Sequence, residues 1–323
     1  MQLGGGSSAL PAFMPAERAM LGVTLALGLV DLTLIVARGA ALDWPAYAII
    51  VAISVVVLGL GLFYRRTRRS EALAATLIAT ASFLLFTLVA SVSNYLLLPV
   101  WRSPIDPLLA QLDASLGFHW PDLLAFAASH PLAVEAMRFA YLSSLPQFAL
   151  IVVVLGLSGR TADLYVFMLA TTLACLATVA IWALFPSFGT TTLFHLDAAV
   201  ERAVRPVVGS AYGAELKRLA AYGPAVISPK NALGLIAAPS FHTVMAILAA
   251  YATLGVRWLS PAAIVLNVMV LPGVLVHGGH HLVDVLAGAI VAIAGIAAAR
   301  ALVQGSLKPA SLSPAHAGAA LPH

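Results

Sequence analysis

Eight runs of mostly apolar residues dominate this chain, near residues 18–38, 45–64, 72–100, 132–157, 162–186, 240–258, 261–279 and 283–303. Each comes close to the roughly 20 residues that a helix needs to cross a bilayer. Only 9% of the 323 residues are charged, against about 25% in an ordinary soluble domain. So few charges could not clothe a water-facing surface of this size. The pattern predicts an all-α fold: a polytopic membrane bundle of about eight transmembrane helices. The first run is too long for a signal peptide and lacks a clear cleavage site, so it is expected to stay as a helix. Residues 1–16 and 305–323 carry Gly, Ser and Pro without an apolar period, and both read as disordered tails.

The charges that remain speak to topology. Arg65, Arg66, Arg68 and Arg69 crowd the loop between the second and third runs, which predicts a cytoplasmic loop. Alternation then puts Arg160 and Arg257 on the same side and leaves segments 101–131, 187–239 and 277–282 outside. The net charge of +4 is read through this topology, and no nucleic-acid partner is expected. The single cysteine, Cys175, can form no intramolecular disulfide and supports no cysteine-based metal site. The two longer outer segments have apolar residues at helical spacing, including Leu108, Leu109, Leu112 and Leu116. They read as amphipathic helices at the interface, with Asp106, Asp113 and Asp197 solvated or capping, and Trp101 and Trp120 in an aromatic belt.

Ionisable residues inside such a chain point to function by default. The stretch HGGHHLVDVLAG, residues 277–288, places His280 and Asp284 four apart at the outer start of the last run. On a helix they share one face, one turn apart. A carboxylate there can hold one imidazole nitrogen and leave the other as base or nucleophile. Gly278 and Gly279 permit a tight turn into the helix. A second motif, APSFHTVMA, places Pro239, Ser240 and His242 at the outer start of the sixth run. Two histidines from separate helices thus meet at one membrane face.

Together, the PSFH stretch and the later His-x-x-x-Asp motif resemble the type 2 phosphatidic acid phosphatase superfamily. The GGHHLVDVLAG segment and the upstream LDASLGFHWP, residues 112–121, are similar to its inositolphosphorylceramide-synthase-like branch. The resemblance covers roughly residues 105–295. It implies a six-helix catalytic core within residues 101–304, preceded by extra transmembrane helices over 17–100. It also implies a lipid phosphatase or phosphotransferase that needs no metal or cofactor. His280 would be the nucleophile, Asp284 its orienting partner and His242 the general acid. A lipid phosphate would be the substrate, and water or an alcohol such as inositol the acceptor. The active site would face the non-cytoplasmic side of a plasma or inner membrane.

Departures from the family pattern fall on its phosphate-binding cations. Arg205-Pro206 is present, but Ala198 stands where a lysine is usual. Gly273 and Val274 replace a Ser-Arg pair, and Phe241 replaces a glycine. Other cations must then neutralise the phosphate; Arg205, Lys230, Arg202 and Arg138 are the candidates, with Ser240 beside them as a substrate contact. Arg138 has Glu135 one turn away as an alternative partner. Tyr141, Ser143 and Gln147 form a polar stripe suited to helix–helix hydrogen bonds. Two other functional classes fit some of the same residues. His242, His277, His280 and His281 could form an imidazole site for a metal or haem. A transporter would instead show repeats and broken helices near the midplane.

Overall fold

The computed structural model describes residues 12–307, and the described residues contain no β-strand, only one isolated bridge between Leu42 and Ile227. Thirteen α-helices follow one another: α1 Pro15–Arg38, α2 Trp44–Arg66, α3 Glu71–Leu96, α4 Asp106–Ser115, α5 Trp120–Ala128, α6 Pro131–Leu142, α7 Ser144–Leu157, α8 Thr161–Leu184, α9 Ala198–Val204, α10 Ser210–Tyr222, α11 Phe241–Thr253, α12 Ser260–His277 and α13 Leu282–Leu307. Their ends carry the expected signals. Pro15 opens α1 and Gly39 closes it in the left-handed conformation. Asp43 and Ser70 accept first-turn backbone N–H groups of α2 and α3.

Six of these helices (α1, α2, α3, α8, α12 and α13) are individually long and apolar enough to cross a bilayer. The eight expected runs are therefore refined in two places. The run near 132–157 is two helices, α6 and α7, bent by 49°. The run near 240–258 forms the 13-residue α11, shorter than a full crossing. Two other boundaries shift: α1 already starts at Pro15, and α13 continues through 305 to Leu307. The rest of the two expected tails, 1–11 and 308–323, lies outside the described residues.

The main core joins α3, α7, α8, α11 and α13 through Ala79, Phe148, Phe167, Val244, Leu248 and Ala292. One end of the bundle is locked by charge. Arg65 is 1% exposed and bonds Glu17 at 2.5 Å and Glu71 at 2.6 Å. Tyr165 donates to the same Glu17 at 2.8 Å. One of the four arginines used to assign topology is thus also a structural clamp between α1, α2 and α3. Arg160 donates to the Gly255 carbonyl, so the loops expected on the arginine side meet each other. Leu302 and Val303 line a cavity with Glu71 at this end. His280 and Asp284 sit at the opposite end of α13, about 27 Å away along its axis at 1.5 Å per residue.

The helix α4, expected to lie at the interface, reverses the expected polarity. On α4, Asp106, Leu109 and Asp113 are buried, while Leu108, Leu112 and the following Leu116 are exposed. Trp120 is also buried rather than in a belt, its indole N–H donating to the Leu275 carbonyl at 2.8 Å. Trp101 is exposed as expected.

Breaking the clamp leaves Glu17 buried without its partner, a loss on the order of 3–5 kcal/mol for such pairs. Arg65→Met is expected to lower the melting temperature in detergent sharply, and Glu17→Gln in the same background is expected to restore much of it. Equal melting of Arg65→Met and wild type would show that the clamp carries no such weight.

Candidate active site

Three segments converge on the N-terminal end of α13. The first is the loop after α8. The Ser187 hydroxyl accepts the Ala238 N–H at 2.7 Å, and the Ser187 carbonyl accepts the Ala237 N–H at 3.2 Å. The second is the stretch leading into α11, which these bonds fix in place. The third is the turn from α12 to α13. Gly279 has φ 63° there, and its carbonyl accepts the Thr190 N–H at 2.8 Å. A side chain at 279 would be strained in that conformation and would press Thr191 at 3.1 Å. Farther along, Gly288 lets α13 close on α11: a Cβ there would stand 2.4 Å from the Ser240 carbonyl oxygen. The Ser240 N–H in turn donates to the Asp284 carbonyl at 3.0 Å.

This packing brings His242, His280 and Asp284 together. The His280 Nδ1 lies 3.0 Å from the Ala237 carbonyl oxygen and 3.4 Å from Asp284 Oδ2. A carbonyl can only accept, so Nδ1 carries a proton, and in the neutral ring Nε2 holds the lone pair. The rings of His280 and His242 are 6.4 Å apart, centre to centre. Tyr141 stacks on His242 at 4.2 Å with an interplanar angle of 18°. Asp284 is fully buried; its Oδ2 also accepts the His281 backbone N–H at 2.9 Å. The arrangement supplies an oriented imidazole lone pair, a carboxylate to stabilise the ring if it gains charge, and a second imidazole one ring away for proton transfer. Both histidines line a cavity of about 410 Å³ with Tyr141, Phe241 and Tyr212 in its wall.

The chain matches the PAP2 superfamily over residues 107–298, more than half its length. The chain belongs to the PAP2 superfamily. No curated protein and no solved structure matches it. This PAP2 chain is therefore a helical, multi-pass membrane protein of a phosphatase-type superfamily.

The expected substrate contacts are placed differently from the histidines. Ser240 is fully buried and caps α11, its hydroxyl accepting the Thr243 N–H at 3.4 Å; it does not line the cavity. Lys230 pairs with Asp43 at 3.1 Å. Arg205 pairs with Glu135, which is thereby taken from Arg138. Arg138 donates instead to the Arg205 carbonyl at 2.6 Å, so these two residues meet. Arg202 is exposed. Among the described residues, no Lys or Arg lines the cavity. The positions of the family's missing Ser-Arg pair are closed by packing. A Cβ at Gly273 would stand 2.9 Å from the Met137 carbonyl oxygen, and Val274 has no exposed surface. Gln147 does make the helix–helix bond expected of it, accepting from Asn267 at 2.6 Å. The four histidines do not converge. His277 Nε2 donates to the Val134 carbonyl at 3.0 Å, and His281 faces away to α4. Among the described residues no three His, Cys, Asp or Glu side chains form a group suited to a metal ion.

His281, Asp113 and Asp106 are the residues that sequence reasoning undervalued. His281 is fully buried, with Nδ1 3.1 Å from Asp113 and Nε2 3.7 Å from Asp106. Asp113 also accepts the Leu282 and Val283 N–H groups at 3.1 and 3.0 Å, capping α13 from another helix. Asp106 accepts the Phe188 and Gly189 N–H groups. Burial pulls the His281 pKa down, but the nearby carboxylate of Asp106 and the charges of Asp284 and Asp113 outweigh it, and the net shift is upward from 6.5. A raised folded-state pKa stabilises the protein fully below the unfolded value and ceases to do so as pH rises through the folded value. Wild-type melting temperature is therefore expected to fall as pH rises above 6.5, and a His281→Gln variant is expected to lose that slope. Parallel pH profiles for the two proteins would contradict a charged His281.

Proposed function

We propose that this PAP2 protein is a lipid phosphate phosphatase or phosphotransferase working through a phosphohistidine. His280 Nε2 attacks phosphorus, and the bond to the lipid oxygen breaks. Asp284 steadies the positive imidazole. His242, in its protonated form, delivers a proton to the departing oxygen. Water or an alcohol then attacks the phosphohistidine, the P–N bond breaks, and His242 takes up the proton of the attacking group. The observation that carries this reading is the His280 ring, whose Nδ1 is committed to the Ala237 carbonyl and Asp284 while its side chain borders a cavity shared with His242.

The cavity's apolar walls favour a lipid substrate. Its placement at the bundle end opposite the arginine loop supports chemistry on the non-cytoplasmic face. For the phosphate we propose Arg138, one turn before Tyr141 on α6, with Arg205 beside it; substrate would have to draw them from their present partners. The division between hydrolysis and transfer depends on which hydroxyl reaches the intermediate, and inositol is one candidate acceptor.

Phosphate release from lipid phosphates in detergent and EDTA tests the reading. His280→Ala is expected to abolish it, and His242→Ala to slow it by roughly 10²–10⁴-fold. Asp284→Asn is expected to cost about a hundredfold, because the Ala237 carbonyl still holds the tautomer while the negative charge is gone. Release from His280→Ala equal to wild type would sink the proposal.

A further inference from the structure

α3 and α8 contribute to the lining of the cavity that holds the two histidines, and α3 lies outside the matched residues 107–298. Thr87, Ser91 and Asn94 reach the cavity from α3, spaced four and three residues apart along one helical stripe. Cys175 and Thr178 reach it from α8. Two polar atoms of this lining are buried without any hydrogen-bond partner: Asn94 Oδ1 and Thr178 Oγ1. Thr178 itself is 1% exposed. Thr243 of α11 is likewise unpartnered, but several other helical threonines contrast with Thr178. Thr24, Thr76, Thr80, Thr171 and Thr172 all fold their hydroxyls back onto the carbonyl four residues earlier. Thr178 does not. Buried polar atoms are nearly always satisfied, so two unsatisfied ones among the residues lining one cavity point to a ligand that satisfies them. The Asn94 oxygen accepts only, so the ligand must donate; Thr178 can do either.

We infer that the Asn94–Thr178 wall is a recognition subsite for a hydroxyl group that enters the cavity with the phosphate. This rests on the phosphohistidine reading above. The hydroxyl has two chemical sources. It can belong to the lipid that carries the phosphate, next to the bond being cleaved. It can also belong to a free polyol that attacks the phosphohistidine: its O–P bond forms, the P–N bond breaks, and its proton passes to His242. In both cases a site built to bond a hydroxyl discriminates strongly against an analogue lacking it, because the buried polar atoms are then left unpaired.

The experiment uses full-length protein in detergent with two arms. One compares lysophosphatidic acid with its O-methyl analogue, which lacks the free hydroxyl donor. The other adds glycerol or inositol during phosphatidic acid cleavage and measures the ratio of phosphoryl-polyol to inorganic phosphate. Thr178→Val and Asn94→Leu remove the polar atoms at similar volume; Thr178→Ser keeps the hydroxyl and controls for packing. A wild-type preference of about tenfold for the free hydroxyl, lost in Thr178→Val and kept in Thr178→Ser, supports the subsite with the lipid as source. A transfer-to-hydrolysis ratio that falls about tenfold in Thr178→Val and is kept in Thr178→Ser supports it with the free polyol as source. If the preference and the ratio are the same in wild type and both apolar variants, while release still depends on His280, the subsite is overturned and the phosphohistidine reading stands. If release does not depend on His280, both fall together.

Discussion

The Asp113 carboxylate is the point on which the candidate active site depends. It takes the His281 ring nitrogen and the first two N–H groups of α13 at once. Those N–H groups would otherwise be orphans at a buried helix start. The His281 backbone N–H then goes to Asp284, whose other contact is the His280 ring. A carboxylate on an interfacial helix thereby sets the position of a residue two hydrogen bonds away. Asp106 does the equivalent for the loop after α8, binding Phe188 and Gly189. That loop holds Ala237, and Ala237 holds His280 from the other side. The two acids of α4 therefore brace both walls around one imidazole.

This explains why α4 is turned inside out. An amphipathic helix at a water–lipid boundary ordinarily faces its charges to water. Here the acids have stronger partners inside, in backbone N–H groups and an imidazole, and Leu108, Leu112 and Leu116 face outward. At a membrane surface that outward leucine face is not wasted, since the acyl boundary accepts it. The polarity that looks reversed by the standards of a soluble protein agrees with both of its surroundings.

Much of this was legible from spacing alone. The helical class, the converging PSFH and His-x-x-x-Asp motifs and the bond of Gln147 follow from periodicity and residue type. What was hidden depends on contacts between segments distant in sequence. Asp113 and His281 are separated by more than 160 residues, and nothing local to either announces the pair. Arg65 looked like a topology marker because four arginines in one loop read alike, yet only its neighbours Glu17 and Glu71 distinguish a clamp from a surface charge. The cations fared worst. Charge says that a residue can bind phosphate, but whether Arg205 or Lys230 is already held by Glu135 or Asp43 is a tertiary fact.

The absence of Lys and Arg from the cavity lining changes how specificity has to arise in this PAP2 chain. A pocket ringed by arginines recognises phosphate as charge and tolerates varied groups around it. A pocket with apolar walls, two imidazoles and a few hydroxyl and amide groups has less to offer the charge and more to offer its substituents. The proposed catalytic residues all come from the matched segment, whereas part of the polar lining comes from α3, which precedes it. The first three helices then do more than hold the protein in the bilayer. Because α3 contributes Thr87, Ser91 and Asn94 to the cavity lining and makes none of the hydrogen bonds that hold His280, the proposed chemistry and the proposed selectivity would be carried by separable parts of the chain.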